Sequence, residues 1–287
     1  MLYISSACSS KKKIGEAVEE IARLGIHNIE LTGGTTYYDG FENDLLRLQD
    51  KYDLRYLVHN YFPPPQKNFV LNLASLSSET HARSIRHCIE AIKFSKQLGG
   101  QKIGFHAGFL VEVKVSELGK TIARSDFYEL QESTNQFLQS YEKICEIATL
   151  ENIEVYIENN VFSNSNLNSF GGKNPFLLTS LNDYEEMQSV MQFNLLLDVA
   201  HLKVSCHSLN LDFASELSDL MPHSDYIHLS DNDGLEDLNN AVNFQKTEFQ
   251  RILSKDLKSK TLTFEVYRDL EGVLENHTWL EDYLVRS

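Results

Sequence analysis

The chain has 287 residues, with 26 Lys and Arg set against 41 Asp and Glu, a formal charge of -15 at pH 7. A charge of that sign repels a phosphate backbone, so nucleic acid is a disfavoured partner; the one tight basic cluster, Lys11, Lys12 and Lys13, reads as solvation at the start of a helix. No run approaches the roughly 18 apolar residues that span a bilayer, the amino terminus reverses the charge order of a secretory signal, and Cys8, Cys88, Cys145 and Cys206 are too scattered to staple a small secreted fold, so a soluble, cytoplasmic protein with reduced thiols is predicted.

Short apolar, β-branched runs recur along the chain with amphipathic stretches between them, the pattern of βα units that build a parallel sheet. Strands are predicted at 2–7, 27–33, 55–62, 102–108, 154–160, 194–201, 225–231 and 262–267. Helical spacing of apolar residues marks 11–24, 77–97, 134–150 and 181–191. In the first of these Ile14, Val18, Ile21 and Leu24 form the buried stripe, Ser9 or Ser10 is the expected cap, and Gly25 stands where a left-handed residue ends a helix. Gly99 and Gly100 close the 77–97 helix in the same way. Eight such units in one chain of this length predict an α/β fold, a single (β/α)8 TIM barrel spanning 1–287; the glycine-rich phosphate loop that usually opens a doubly wound sheet is missing. Three connections are long, 62–76, 108–126 and 161–179, and each follows a strand, which places them on the catalytic face. The last, rich in Asn, Ser and Gly, reads equally as a lid or as a loose insertion.

Strands three to eight each carry a ligand-type or proton-transfer residue near the carboxyl end: His59, His106, Glu158, Asp198, His228 and Glu265. A strand buried on both faces has little reason to hold an unpaired carboxylate, whose burial costs several kcal/mol. A metal ion removes that cost, and barrel closure brings distant strand ends to one mouth. Singly, a strand histidine is more often a hydrogen-bonded core residue. Jointly, Glu158, Asp198, His228 and Glu265 offer the mixed oxygen and nitrogen donors that suit one divalent ion, Mn2+, Mg2+, Co2+ or Zn2+.

These segments resemble the xylose-isomerase-like barrel superfamily, which includes sugar and sugar-phosphate isomerases and epimerases, related dehydratases and endonuclease IV-type apurinic endonucleases. The resemblance rests on VLNLAS at 70–75 followed by Arg83-Ser84-Ile85, FHAG at 105–108, YIENN at 156–160, LLLDVAH at 195–201, IHLSDND at 227–233 and FEVY at 264–267. The D-x-x-H of Asp198 to His201 and the HLSDND segment are the most specific of these. The resemblance implies that Glu158, Asp198, His228 and Glu265 bind the metal of the epimerase branch, that Glu158 and Glu265 also form its acid/base pair, and that His201 contacts substrate or a second metal, with His59 and His106 lining the same mouth.

Removing a proton α to a carbonyl and stabilising the resulting enediolate is the chemistry that such a site performs, with a divalent ion as Lewis acid. The leading expectation is therefore a metal-dependent isomerase or epimerase acting on a monosaccharide, sugar phosphate or cyclitol, with a dehydratase open on the same first step; self-association is left open. The endonuclease branch needs a D-x-H pair after strand seven, but no histidine lies between His228 and His277. NLAS points the other way. A third reading is a barrel that binds carbohydrate without turnover. The epimerase branch also often places an arginine soon after the strand-seven histidine, and none is present near His228. Asp231, Asp233, Glu236 and Asp237 crowd the loop after strand seven and favour an uncharged sugar or polyol, while Lys203 and Arg268 are the candidate anchors for a phosphate.

Overall fold

The computed structural model describes residues 1–253 and 257–286. All eight predicted strands form, each shorter than its apolar run: β1 (Leu2–Ser5), β2 (Asn28–Leu31), β3 (Arg55–His59), β4 (Lys102–His106), β5 (Glu154–Glu158), β6 (Asn194–Asp198), β7 (Tyr226–Leu229) and β8 (Thr261–Phe264). Each pairs in parallel with the next, and β8 returns to β1, so the sheet closes into a barrel with no free edge. The helices among the described residues are α1 (Ile14–Ala22), α2 (Phe41–Tyr52), α3 (Ser78–Gln97), α4 (Leu130–Glu151), α5 (Asn164–Ser169), α6 (Leu181–Val190), α7 (Val199–Leu209), α8 (Phe213–Leu220), α9 (Thr247–Leu253) and α10 (Leu270–Arg286). None of the described helices is long and apolar enough to cross a membrane, and all four cysteines are free.

Alternation along each strand divides the core in two. Residues such as Ile29, Ile103, Ile157, Leu197, Ile227 and Leu262 join the large cluster that the helices cover. Tyr3, Leu57, Tyr156, Leu196 and Tyr226 form a separate cluster that fills the barrel interior. Two residues further along those same strands stand Ser5, His59, Glu158, Asp198 and His228. The period of two therefore aims the polar residues at the axis, directly above an aromatic and aliphatic floor. Register keeps them level: His106 is paired with Glu158, and Asp198 with His228.

Two local expectations change. The α1 cap is Lys13, with no side-chain hydrogen bond to the helix; Ser9 instead donates to Glu20 at 2.5 Å, because the chain first makes a short 3-10 turn at Ser6–Cys8. Leu24 lies beyond the end of α1 and is exposed, while Ile14, Val18 and Ile21 are fully buried as predicted. Gly25 does take the left-handed conformation, at φ +85°, and ends the helix.

The three long connections share an apolar centre. Val70 from the first, Val111, Val113 and Ile122 from the second, and Phe162, Phe170 and Phe176 from the third form one buried cluster. The Asn/Ser/Gly-rich segment is thus an anchored piece containing α5, with Ser163 accepting a hydrogen bond from the Asn166 N–H to cap it. The VLNLAS motif braces this layer. Asn72 accepts from Phe109 N at 2.9 Å and donates to Phe109 O at 2.9 Å, and its own N–H donates to Ser84 Oγ at 2.9 Å, which ties together the loops after β3 and β4 and the start of α3.

Candidate active site

Glu158 is the centre of the barrel mouth. Its side chain is fully buried, and neither oxygen accepts a hydrogen bond. Four imidazoles surround it instead: His59 Nε2 at 3.1 Å and His106 Nδ1 at 3.0 Å from Oε2, His228 Nδ1 at 3.4 Å and His201 Nδ1 at 3.7 Å from Oε1. Gly104 makes room for this crowding, since a side chain on it would meet Leu196 Cδ1 and His59 Nδ1 at 2.6 and 2.8 Å. His228 Nδ1 also lies 2.9 Å from Glu265 Oε2 and 3.8 Å from Asp198 Oδ2.

The motifs explain why these groups hold their places. In YIENN, Asn159 accepts from Asp198 N at 2.7 Å and donates to Asp198 O at 3.0 Å, which fastens the end of β5 to β6. Asn160 donates to Ala107 O and Leu177 O, both at 2.8 Å, which fastens it to the β4 side. The D-x-x-H spacing is a helix cap: Asp198 Oδ1 accepts from the His201 N–H at 2.7 Å and so orients α7. Asp198 Oδ2 is left buried with no hydrogen-bond partner. His201 Nδ1 lies 2.9 Å from Asn159 O, an acceptor only, so this nitrogen carries the proton and Nε2 faces Asp237 Oδ2 at 3.4 Å.

One residue that touches the cluster does not stand out in the sequence reading. Glu30, the penultimate residue of β2, is fully buried, and its Oε1 lies 2.9 Å from His228 Nε2. Its other oxygen accepts from Thr263 Oγ1 at 2.7 Å and from the Tyr226 hydroxyl. The signal was a glutamate inside the apolar run of HNIELTG, where the same unpaired-charge reasoning applies.

Charge states follow from this packing. Burial works to raise the Glu158 pKa, but the imidazoles of His106 and His59 outweigh it and hold the carboxyl well below its usual range. Burial pushes Asp198 up to about 7 against the attraction of His201, with Glu158 adding repulsion. Burial also lowers His106 to about 4. For His228 burial is overcome by Glu30, Glu158 and Glu265, and its pKa is raised well above the ordinary value. Protons thus hold the cluster together wherever no other cation does.

The donors fit a metal ion. Glu158, Asp198 and His228 Nδ1 present buried atoms without hydrogen-bond partners, all nitrogen or oxygen. Atoms of His59, Glu158, His228 and Glu265 lie within 4.8 Å of one another, as do those of His106, Glu158 and His201. Six of the seven residues singled out from sequence thus meet around Glu158 in these two overlapping groups. Asp198 borders the first, where His59 stands closer than the sequence reading had it. Glu30 stands 2.9 Å behind His228 Nε2, the position from which an outer carboxylate orients a ligating imidazole in many metal sites.

Comparison with known proteins bears on this arrangement. A family model described as xylose isomerase-like TIM barrel matches residues 18–283. The chain belongs to that family. Among solved structures, the xylose isomerase-like barrel is similar to a D-tagatose 3-epimerase-like protein (TM-score 0.70, 18% identity, covering 99% of this chain and 97% of the other). It is also similar to an L-ribulose 3-epimerase (TM-score 0.62, 16% identity, 97% and 86%) and to endonuclease IV from Thermus thermophilus (TM-score 0.61, 14% identity, 100% and 99%). At such identities the likeness shows the fold alone. No sequence among the curated proteins matches.

The loop after β7 bears on the two candidate phosphate anchors. Lys203 Nζ donates to Asp231 Oδ1 at 2.7 Å, to Asn232 O at 2.9 Å and to Glu248 Oε1 at 2.9 Å, so its charge is engaged inside the loop. Lys246 pairs with the other Asp231 oxygen, which leaves that carboxylate neutralised. Asp237 is the acid of this loop that faces the cluster, and Arg268 is exposed.

Proposed function

We propose that this protein is a divalent-metal-dependent isomerase or epimerase of a small, uncharged carbohydrate or polyol, with Glu158, Asp198, His228 and Glu265 as metal ligands and His59 at their edge. The observation that carries the reading is the meeting of Glu158 and Glu265, from β5 and the end of β8, at one buried imidazole nitrogen, His228 Nδ1, at 3.4 and 2.9 Å. A bound divalent ion supplies Lewis acidity to a carbonyl and its neighbouring hydroxyl, lowering the barrier to removal of the α-proton. Glu158 and Glu265 then act as the acid/base pair, one taking the proton from one face and the other returning it. His201, fixed by Asn159 O, and its neighbour Asp237 hold a substrate hydroxyl, and the anchored loop layer excludes water.

The test is solvent-deuterium exchange into a panel of ketoses, followed by NMR, alongside elemental analysis. Exchange that vanishes in Glu158→Gln and in Glu265→Gln supports the reading; undiminished exchange in both removes the mechanism.

A second reading is favoured by one observation. His59 and His106 both approach the same Glu158 oxygen, at 3.1 and 3.0 Å, a geometry that offers a second metal position of the kind a phosphodiesterase uses. The charge of -15 argues against a nucleic-acid substrate. Efficient nicking of an abasic duplex by the purified protein reverses the order.

A further inference from the structure

A groove of about 670 Å3 runs along the outer wall between α2 and α3, apart from the barrel mouth, and none of the residues assigned to the site lines it. Its size falls within the roughly 300–1,000 Å3 of small-molecule sites. Sequence spacing builds it: Arg83, Arg86 with His87, and Lys93 with Phe94 recur at helical intervals on one flank of α3, and the segment from Pro63 to Phe69 folds beside them.

Charge sets the groove apart. The chain as a whole is strongly acidic, yet the groove is lined by four cations, Lys67, Arg83, Arg86 and Lys93, against two carboxylates, Glu42 and Glu90. Among the described residues Lys67, Arg86 and Lys93 pair with no carboxylate. Arg83 is held at the rim, its guanidinium 4.5 Å over the Phe69 ring and bonded to Lys67 O.

The floor is aromatic. Phe41, Phe69 and Phe94 line the groove although each is largely buried. His87 stands among them edge-on to Phe69, with ring centroids 5.2 Å apart, and is 5% exposed. Its Nε2 is buried and has no hydrogen-bond partner. A ring nitrogen without a partner, beside an apolar ring in a residue that lines the groove, is a feature that a polar atom of a ligand satisfies.

We propose that this groove is a second binding site, for a small organic phosphate with a planar apolar body, of the nucleoside monophosphate class. The phosphate sits between Arg86, Lys93 and Lys67, and the planar body lies on the phenylalanine floor with one polar atom on His87 Nε2. The site is independent of the reading given to the barrel mouth.

Calorimetric titration of the full chain with AMP, adenosine and inorganic phosphate tests the assignment, with NMR of the histidine ring nitrogens to locate the site. The expected result is saturable AMP binding at least about tenfold tighter than either fragment, a shifted His87 resonance, and a loss of about tenfold or more in the Arg86→Ala/Lys93→Ala double variant. Both side chains are exposed, so the fold survives, and Arg86→Lys/Lys93→Arg keeps binding within about threefold. Three outcomes overturn the proposal: no saturable AMP binding at millimolar concentration, inorganic phosphate binding as tightly as AMP, or full binding in the double alanine variant.

Discussion

Replacing Glu30 by glutamine changes one atom and removes one charge in a place that touches no substrate. The carboxylate has one oxygen committed to two hydroxyl donors, Thr263 at 2.7 Å and Tyr226, and the other opposite His228 Nε2 at 2.9 Å. Glutamine can keep the hydroxyls only by placing its carbonyl on them, which turns its NH2 toward His228. Nε2 must then give up its proton, and the proton moves to Nδ1, the atom that faces Glu158 and Glu265. The substitution therefore places a hydrogen where the proposed metal ion needs a lone pair. Outer carboxylates of this kind are worth about 10- to 100-fold in metal affinity, and forcing the wrong tautomer puts Glu30→Gln at the upper end, about 3 kcal/mol. Competition with a chelator of known affinity, read by elemental analysis, measures the change directly. Metal affinity within about threefold of the parent, in a variant with the parent's circular dichroism, refutes the reasoning.

Two further outcomes follow from the geometry. Lys203→Met leaves Asp231 with Lys246 as its one cation and strips Glu248 and Asn232 O of a donor, so urea unfolding is expected to show a loss of about 2 kcal/mol; an unchanged midpoint would mean that the network contributes only order. Burial lowers the His87 pKa from its ordinary 6.5 to about 4, with Arg83 adding to the effect, so the ring stays neutral in the folded protein while the unfolded chain takes up a proton. That contribution is fully present above pH 6.5 and is lost as pH falls toward 4, by about 3 kcal/mol at most; His87→Phe should flatten this part of the stability profile, which thermal melts across the range would show.

The eight strands were legible because each is an apolar, β-branched run, and a closed parallel sheet with both faces covered demands such runs. Their ends were less so. The runs at 27–33 and 225–231 continue past β2 and β7 because Thr32, Ser230 and Asp231 are also buried, held by hydrogen bonds outside the ladder. Site residues at strand termini stood out against apolar neighbours, and their convergence needed only barrel closure. Glu30 is hidden in the sequence because it lies one residue inside β2, outside the ligand-type pattern at the carboxyl ends of strands three to eight, and reaches the cluster through His228. Asp237 could not be ranked among its acidic neighbours: which one faces His201 depends on Asp231 being captured by Lys203 and Lys246, a tertiary event with no local signature. Ser9 and Leu24 were misplaced for a simpler reason, since the 3-10 turn at Ser6–Cys8 delays the start of α1 and the helix stops at Ala22.

The joint apolar centre beneath the three long loops carries a practical message for anyone who would retune this barrel. Phe162, Val111 and Val70 come from three separate connections, yet each is a wall for the others. Grafting one loop from a relative would leave two of the three pieces without their match. Specificity on that side of the mouth is inherited as a set, and the shorter connections are the places where a single substitution can act alone.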